Sequence, residues 1–114
     1  MSASWRGIKN RGNKYGAKKV TTPEGMKFDS KREYARWLDL KLMERACAIS
    51  DLKRQQPYDI NVNGQKICRY IADFTYIDDD DRFIVEDSKG FRTPEYRLKA
   101  KLMLAVHNIK IRET

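Results

Sequence analysis

The sequence predicts an α/β fold: a mixed four-stranded sheet flanked by helices, with the elements in the order α-β-β-β-α-β. Three features of the 114-residue chain predict it. An amphipathic helix pattern comes first, an Asn-Gly hairpin signal follows, and a strand, a helix and a strand close the chain. A hairpin requires antiparallel pairing, whereas the closing crossover makes its two strands parallel, so the sheet is mixed.

The first helix is predicted from Lys31 to Ala46. Ser30, followed three residues later by Glu33, is a capping-box pattern at its start. Apolar residues then recur at spacings of three and four along the segment. This period indicates a helix that packs one face on a core.

A β-hairpin is predicted next, after a turn over residues 55–57. Residues 58–62 alternate between apolar and polar types, which is typical of a half-buried strand. Asn63-Gly64 favours a type I′ turn, since both central residues of that turn need positive φ. The return strand is predicted over residues 66–77, and a third strand over residues 82–90.

The second helix is predicted to begin at Pro94. Thr93 suits the N-cap, proline suits the first helical position, and Glu95 is favoured by the helix dipole. Asn108 is predicted to end the helix. Residues 109–111 then form a short strand that lies parallel to its neighbour.

Most of the positive charge lies at the N-terminus. The chain has 24 Lys and Arg against 16 Asp and Glu, a net charge of +8. Residues 1–27 hold seven of these basic residues and one acidic residue. Because the segment shows no apolar period, it is predicted to be a flexible arm, with residues 28–114 forming a single domain. A basic arm favours nucleic acid as its partner through counterion release, and a solubilising tail without a target is the alternative.

The composition excludes several classes of protein. No run approaches the roughly 18 to 20 apolar residues of a membrane span, and the N-terminus lacks the apolar core of a signal peptide. Two cysteines without CxxC spacing and one histidine cannot form the usual Cys/His zinc site. The acidic run 78–81 does not fit an EF-hand, because Phe83 and Lys89 stand where that loop needs Gly and Glu. We expect a soluble, cytoplasmic protein.

Ionisable residues follow apolar runs in two neighbouring strands. Asp87 and Lys89 share one face because strand side chains alternate, and Asp73 on the paired strand can lie beside them. Two adjacent carboxylates repel unless a cation lies between them, and Mg²⁺ binds through one or two carboxylates with phosphate oxygens and water. The pattern therefore predicts a Mg²⁺ site that would also accept Mn²⁺. A lysine beside it can stabilise phosphate charge.

These residues carry a resemblance to known nucleases. Asp73, a gap of thirteen residues and Asp87-Ser88-Lys89 resemble the PD-(D/E)XK nuclease signature. The chain more narrowly resembles phage-encoded endonuclease I-like Holliday junction resolvases over residues 14–113. Three segments carry that narrower similarity: Phe28-Asp29-Ser30-Lys31-Arg32-Glu33, Gln55-Gln56-Pro57 and Ile84-Val85-Glu86-Asp87-Ser88-Lys89-Gly90.

The resemblance implies a restriction-endonuclease-like core with a defined set of catalytic residues. Asp73 and Asp87 become metal ligands, Lys89 acts beside the nucleophile, and Glu33 completes the site as a further metal-binding carboxylate. Gln55 and Glu86 are accessory candidates. Strand alternation turns Glu86 to the face opposite Asp87. The alternatives are a Glu33 that only caps its helix and an Asp87–Lys89 pair that is only a surface ion pair.

The implied function is a Mg²⁺-dependent endodeoxyribonuclease that cleaves branched DNA as a homodimer, in the host cytoplasm if it is phage-encoded. The alternatives are another PD-(D/E)XK nuclease, nicking or restriction-like, and a non-catalytic DNA-binding accessory protein. Basic side chains in the arm and around the second helix are the predicted DNA contacts: Arg6, Lys9, Arg11, Lys14, Lys18, Lys19, Arg92, Arg97, Lys99 and Lys101.

Overall fold

A computed structural model describes residues 18–114 of the protein. Over this range the elements run β1 (Val20–Thr21), β2 (Lys27–Phe28), α1 (Lys31–Arg45), β3 (Ile49–Val62), β4 (Gln65–Asp78), β5 (Phe83–Asp87), α2 (Pro94–His107) and β6 (Arg112–Glu113). Strands β3, β4, β5 and β6 form the central sheet in that order. All of its pairs are antiparallel except β5 with β6. The predicted α/β class, the mixed four-stranded sheet and the order α-β-β-β-α-β are confirmed.

Both helix starts and the end of α2 follow the predicted capping residues. The Ser30 hydroxyl accepts a hydrogen bond from the Glu33 N–H at 3.1 Å, and the Thr93 hydroxyl accepts one from the Tyr96 N–H at 3.1 Å. Asn108 ends α2 in the left-handed conformation, with φ of 56°. Asparagine tolerates this conformation better than most residues, which explains why α2 stops there.

The hairpin is longer than predicted. Strand β3 begins at Ile49, so the turn expected over residues 55–57 is wrong and those residues lie inside the strand. Gln55 has φ of +52°, which bends the strand without ending it. Pro57 pairs with Ile71 and is tolerated because β3 is an edge strand of the sheet.

The last strand is shifted toward the C-terminus. The Ile109 N–H still donates to the Met103 carbonyl at 3.2 Å, so this residue closes the helix end and does not begin a strand. Ile109 and Ile111 both contribute to the core beside α2. Pairing with β5 therefore starts only at Arg112, which lies opposite Glu86.

The segment before α1 contains a small β-hairpin that the sequence patterns do not predict. Strands β1 and β2 pair antiparallel, with Val20 opposite Phe28. Phe28 is buried, and its ring packs against Tyr34 and Trp37 of α1. The domain boundary predicted at residue 28 thus falls within this hairpin, and the earlier part of the predicted arm, residues 1–17, lies outside the described residues.

The core consists of two clusters that meet near the middle of β4. In the first, Leu40 of α1 packs with Phe74 and Tyr76. In the second, Tyr96 and Met103 of α2 join residues that include Tyr70 and Ala72. Ile84 of β5 packs against the first cluster and the neighbouring Val85 belongs to the second, so the two helices cover opposite faces of the sheet. Asp73 lies between the two clusters along β4. Within residues 18–114, neither helix is long and apolar enough to cross a membrane.

Candidate active site

Three of the predicted site residues meet where β4 and β5 run side by side. Phe74 pairs with Glu86, so one further step along the antiparallel register brings Asp73 opposite Asp87. The Lys89 Nζ lies 3.3 Å from the Asp87 Oδ1. Both carboxylates are buried, and Lys89 retains about a third of its side-chain exposure. The site therefore pairs two buried acidic groups with one partly exposed cation.

Hydrogen bonds fix one oxygen of each carboxylate. The Tyr70 hydroxyl donates to the Asp87 Oδ2 at 2.5 Å, and the Ser88 backbone N–H donates to the Asp73 Oδ2 at 2.9 Å. The other Asp87 oxygen, Oδ1, is buried and accepts no hydrogen bond within residues 18–114, although the Lys89 Nζ lies 3.3 Å from it as an ion-pair partner. A buried carboxylate oxygen without a donor is costly unless a cation compensates it.

The electrostatics of the site favour an additional cation. Burial raises the pKa of Asp73 to about 8, and the neighbouring Asp87 and Glu33 carboxylates also raise it. Burial acts to lower the pKa of Lys89, but the charges of Asp87 and Asp73 outweigh this effect and the pKa is raised. Burial and the Asp87 charge likewise raise the pKa of Tyr70, which keeps its hydroxyl a donor. The single ammonium of Lys89 thus compensates the charge of two buried carboxylates, Asp73 and Asp87. A divalent cation would reduce the repulsion between these carboxylates.

Glu33 is buried in the first turn of α1, with both oxygens already bonded. Its Oε1 accepts from the Asp29 N–H at 3.0 Å, and its Oε2 accepts from the Gln55 side-chain amide at 3.0 Å. Burial raises the pKa of Glu33. The carboxylate helps to cap the helix and also adds negative charge beside Asp73, so the capping and the site interpretations both describe it.

Gln55 contacts the site through Glu33. It lies in β3 with left-handed φ, at the step of the register opposite Asp73. The neighbouring Arg54 places its Nη2 3.7 Å from the Glu33 Oε2 and stacks over the Phe28 ring at 4.0 Å. The bend in β3 therefore brings an amide and a guanidinium to the Glu33 carboxylate.

The acidic groups differ in how well they fit a metal ion. Within the described residues, only Asp78, Asp79 and Asp80 offer three ligand atoms within 4.8 Å of one another. The Asp78 Oδ1 accepts the N–H groups of Asp80 and Arg82, so this run is a hydrogen-bonded turn. Glu33, Asp73 and Asp87 are not such a group of three in the described part of the chain. The buried pair Asp73 and Asp87 remains a candidate for Mg²⁺, because carboxylate oxygens are hard ligands and two carboxylates suffice when phosphate and water complete the shell.

A cavity of about 530 Å³ opens above these residues. Its lining combines acidic and basic side chains. The acidic residues are Asp29, Glu33 and Asp73, and the basic residues are Lys18, Lys31, Arg32 and Lys89. Carboxylates next to cations in one cavity would attract a metal ion together with a phosphate.

Sequence reasoning missed two of the basic lining residues, although a signal was present. Lys31 and Arg32 occupy the first turn of α1, where the helix dipole disfavours cations. A local rule broken at the start of a helix is typical of a functional position. Tyr70, which holds Asp87, carried no such signal because its partner is seventeen residues away in sequence.

The other predicted DNA contacts lie in varied settings. Arg92 forms an ion pair with Glu113 at 2.8 Å, and Lys99 forms one with Glu95 at 3.1 Å. Lys18, Lys19, Arg97 and Lys101 are exposed. The four remaining predicted contacts lie outside the described residues: Arg6, Lys9, Arg11 and Lys14.

Glu86 points away from the cavity, as strand alternation predicts. Its carboxylate accepts two hydrogen bonds from the Arg36 guanidinium, at 2.6 and 3.0 Å, and one from the Tyr76 hydroxyl at 2.5 Å. Arg36 lies one turn after Glu33 on α1. This buried network therefore joins the helix that carries Glu33 to the strand that carries Asp87.

The fold and the site define an α/β protein with a buried carboxylate pair and a lysine below a basic cavity. The family described as "Protein of unknown function (DUF1064)" matches residues 12–113, and the chain belongs to this family. No curated protein and no solved structure matches the chain.

Proposed function

We propose that the protein is a Mg²⁺-dependent endodeoxyribonuclease that cleaves branched DNA, as a member of the PD-(D/E)XK superfamily. The observation that carries this proposal is the buried Asp73–Asp87 pair beside Lys89, of which Asp73 and Lys89 line a cavity that also has basic side chains. Metal-assisted hydrolysis of a phosphodiester uses a cation at the phosphate and acidic groups that hold the metal ion. Both requirements meet in one cavity of this chain.

Asp73 and Asp87 would hold the ion, and Mn²⁺ is expected to substitute for Mg²⁺. When bound, the metal supplies Lewis-acid activation of water and stabilises charge on the departing 3′ oxygen. The protein holds the two carboxylates in orientation through the Tyr70 hydroxyl and the Ser88 N–H. This preorganisation lowers the cost of bringing the ligands together at the moment of reaction.

Lys89 binds a non-bridging oxygen of the scissile phosphate in this proposal. Its raised pKa keeps the ammonium charged near neutral pH, so it acts as an electrostatic contact and not as a free base. The Gln55 side-chain amide holds the Glu33 carboxylate in orientation through its hydrogen bond. Lys31 and Arg32 bind the flanking phosphates at the cavity wall.

The N-terminal segment adds to the binding of DNA. Lys18, the first described residue, lines the cavity, so the segment before it joins the domain at the candidate site. That segment contains Arg6, Lys9, Arg11 and Lys14 and no acidic residue. Cleavage of opposite strands at a four-way junction requires two active sites, which favours a homodimer. The proposed substrate is DNA in the cytoplasm.

The test is cleavage of three labelled DNA substrates that share one sequence: a four-way junction, a fork and a linear duplex. The wild type should cut the junction symmetrically in Mg²⁺ and leave it intact in EDTA. Asp73→Asn and Lys89→Ala should abolish cleavage and retain binding of the DNA. The matched controls are Asp80→Asn and Lys110→Ala, which change exposed groups outside the cavity and should cut at the wild-type rate.

Three results would contradict the proposal. Unchanged cleavage by both site variants would remove these residues from catalysis. Binding of DNA without cleavage by the wild type, in Mg²⁺ and in Mn²⁺, would favour the non-catalytic accessory protein. Cleavage of the linear duplex at the rate of the junction would instead favour a nicking or restriction-like enzyme.

A further inference from the structure

A second cavity, of about 410 Å³, adjoins the first. Lys89, Phe91 and Thr93 line both cavities. These three residues belong to the loop that follows β5, so the loop forms the ridge between the cavities. A molecule that places a phosphate beside Lys89 can therefore extend across the ridge without leaving the protein surface.

The second cavity has an apolar wall with basic groups at its margin. Phe91 and Ile71 line it, and each remains 48% exposed. Arg69 and Lys99 also line it. A flat apolar surface next to cations is the chemistry that binds nucleotides, because the base stacks and the backbone is neutralised.

Arg69 and Lys99 form ion pairs that contribute little to the stability of the fold. Arg69 pairs with Asp59 at 2.8 Å, and both side chains are about half exposed. Lys99 pairs at 3.1 Å with Glu95, which is largely exposed. Exposed ion pairs contribute little to stability, so either cation can exchange its carboxylate for a phosphate.

We infer that the second cavity binds the base of an unpaired DNA nucleotide, with Phe91 stacked against it, next to the phosphate that Lys89 contacts. The inference rests on the proposed nuclease function and adds a reason for its choice of branched DNA. A base paired inside a duplex is stacked on both faces and is not available to a side chain, whereas a fork offers unpaired bases and a pair at a four-way branch point opens at lower cost than one inside a duplex. Phe91, two residues after Lys89, is the specificity-determining residue.

The test uses a DNA fork with 2-aminopurine at each of the first three unpaired positions, in Ca²⁺ and with the full-length protein. The wild type should quench the fluorescence at one of these positions, since quenching reports stacking. Phe91→Ala should lose this quenching and bind the fork about tenfold more weakly, with unchanged affinity for the linear duplex. Phe91→Trp should restore both signals, which a merely structural role would not predict.

The matched control is Phe83→Ala, which removes an exposed aromatic side chain at the opposite end of β5. It should bind and quench like the wild type. Wild-type quenching and affinity in Phe91→Ala, or equal losses on the fork and the duplex, would overturn the base-binding inference. These results are independent of the nuclease assignment, which is rejected by unchanged cleavage in Asp73→Asn and Lys89→Ala.

Discussion

Arg36→Met should destabilise the protein by about 3 kcal/mol. The Arg36 guanidinium donates two hydrogen bonds to Glu86, at 2.6 and 3.0 Å. The Glu86 side chain is 0% exposed and that of Arg36 is 24% exposed. Removing one partner of a buried ion pair costs about 3 to 5 kcal/mol, because the other charge is left buried without it. We expect a loss at the lower end of this energy range, because Arg36 is partly solvated and the Tyr76 hydroxyl still donates to Glu86 in the variant.

The matched control is Arg82→Met, which breaks an ion pair of the same length in water. The Arg82 Nη2 lies 2.6 Å from the Asp80 Oδ2, but the two side chains are 70% and 65% exposed. Loss of such a pair costs about 0 to 1 kcal/mol. Urea unfolding in EDTA, followed by tryptophan fluorescence, measures the free energy of unfolding of each variant. The difference between the two variants isolates the effect of burial.

A double variant separates the lost attraction from the buried charge. Arg36→Met with Glu86→Gln should recover more than half of the loss, because no uncompensated carboxylate remains in the core. A cost for Arg36→Met that is no larger than that of Arg82→Met would refute the reasoning. It would mean that Glu86 reaches water or another cation when Arg36 is removed.

Three further predictions follow from the site and the helix caps. In EDTA, raising the pH from about 4 to about 8 should lower the free energy of unfolding of the wild type relative to that of Asp73→Asn. The pKa of Asp73 rises on folding from its ordinary 3.8 to about 8, so the unfolded chain loses this proton at a lower pH than the folded protein does. Parallel pH profiles of the two proteins would contradict this. Mg²⁺ at 100 times its dissociation constant should stabilise the wild type by about 2.7 kcal/mol and leave Asp73→Asn unchanged in thermal unfolding, and equal shifts would remove the carboxylate pair as the metal site. Asn108→Ala should cost about 1 kcal/mol in urea unfolding because φ is 56°, whereas Asn108→Gly should cost almost nothing; equal effects would argue against strain at this cap.

The local elements could be predicted because their causes lie within a few residues. Ser30 and Thr93 cap helices through bonds to N–H groups three residues away. Asn63 and Gly64 both adopt positive φ in the turn that joins β3 to β4. Such contacts depend only on nearby side chains and backbone preferences, so the sequence carries them directly.

The extent of the edge strands could not be predicted from these local signals. The Gln-Gln-Pro segment favours a turn, yet long-range pairing with β4 keeps it in β3 and converts the turn signal into a bend at Gln55. Ile109 and Ile111 show strand-like alternation, but burial beside α2 delays pairing until Arg112. Tertiary pairing and burial outweigh local preference where both compete.

The sequence by itself indicated that Asp73 and Asp87 can share one site, because both follow apolar runs in neighbouring strands whose side chains alternate between faces. Strand β5 ends at Asp87, so the position of Lys89, 3.3 Å from Asp87, is set by the loop that follows. Tertiary structure decided what surrounds them. It brought Tyr70 to Asp87, joined Arg36 to Glu86 behind the sheet, and lined the cavity with Lys31 and Arg32. The pKa of Asp73 also belongs to the fold, since desolvation and charge repulsion arise only when distant segments pack around the same carboxylate.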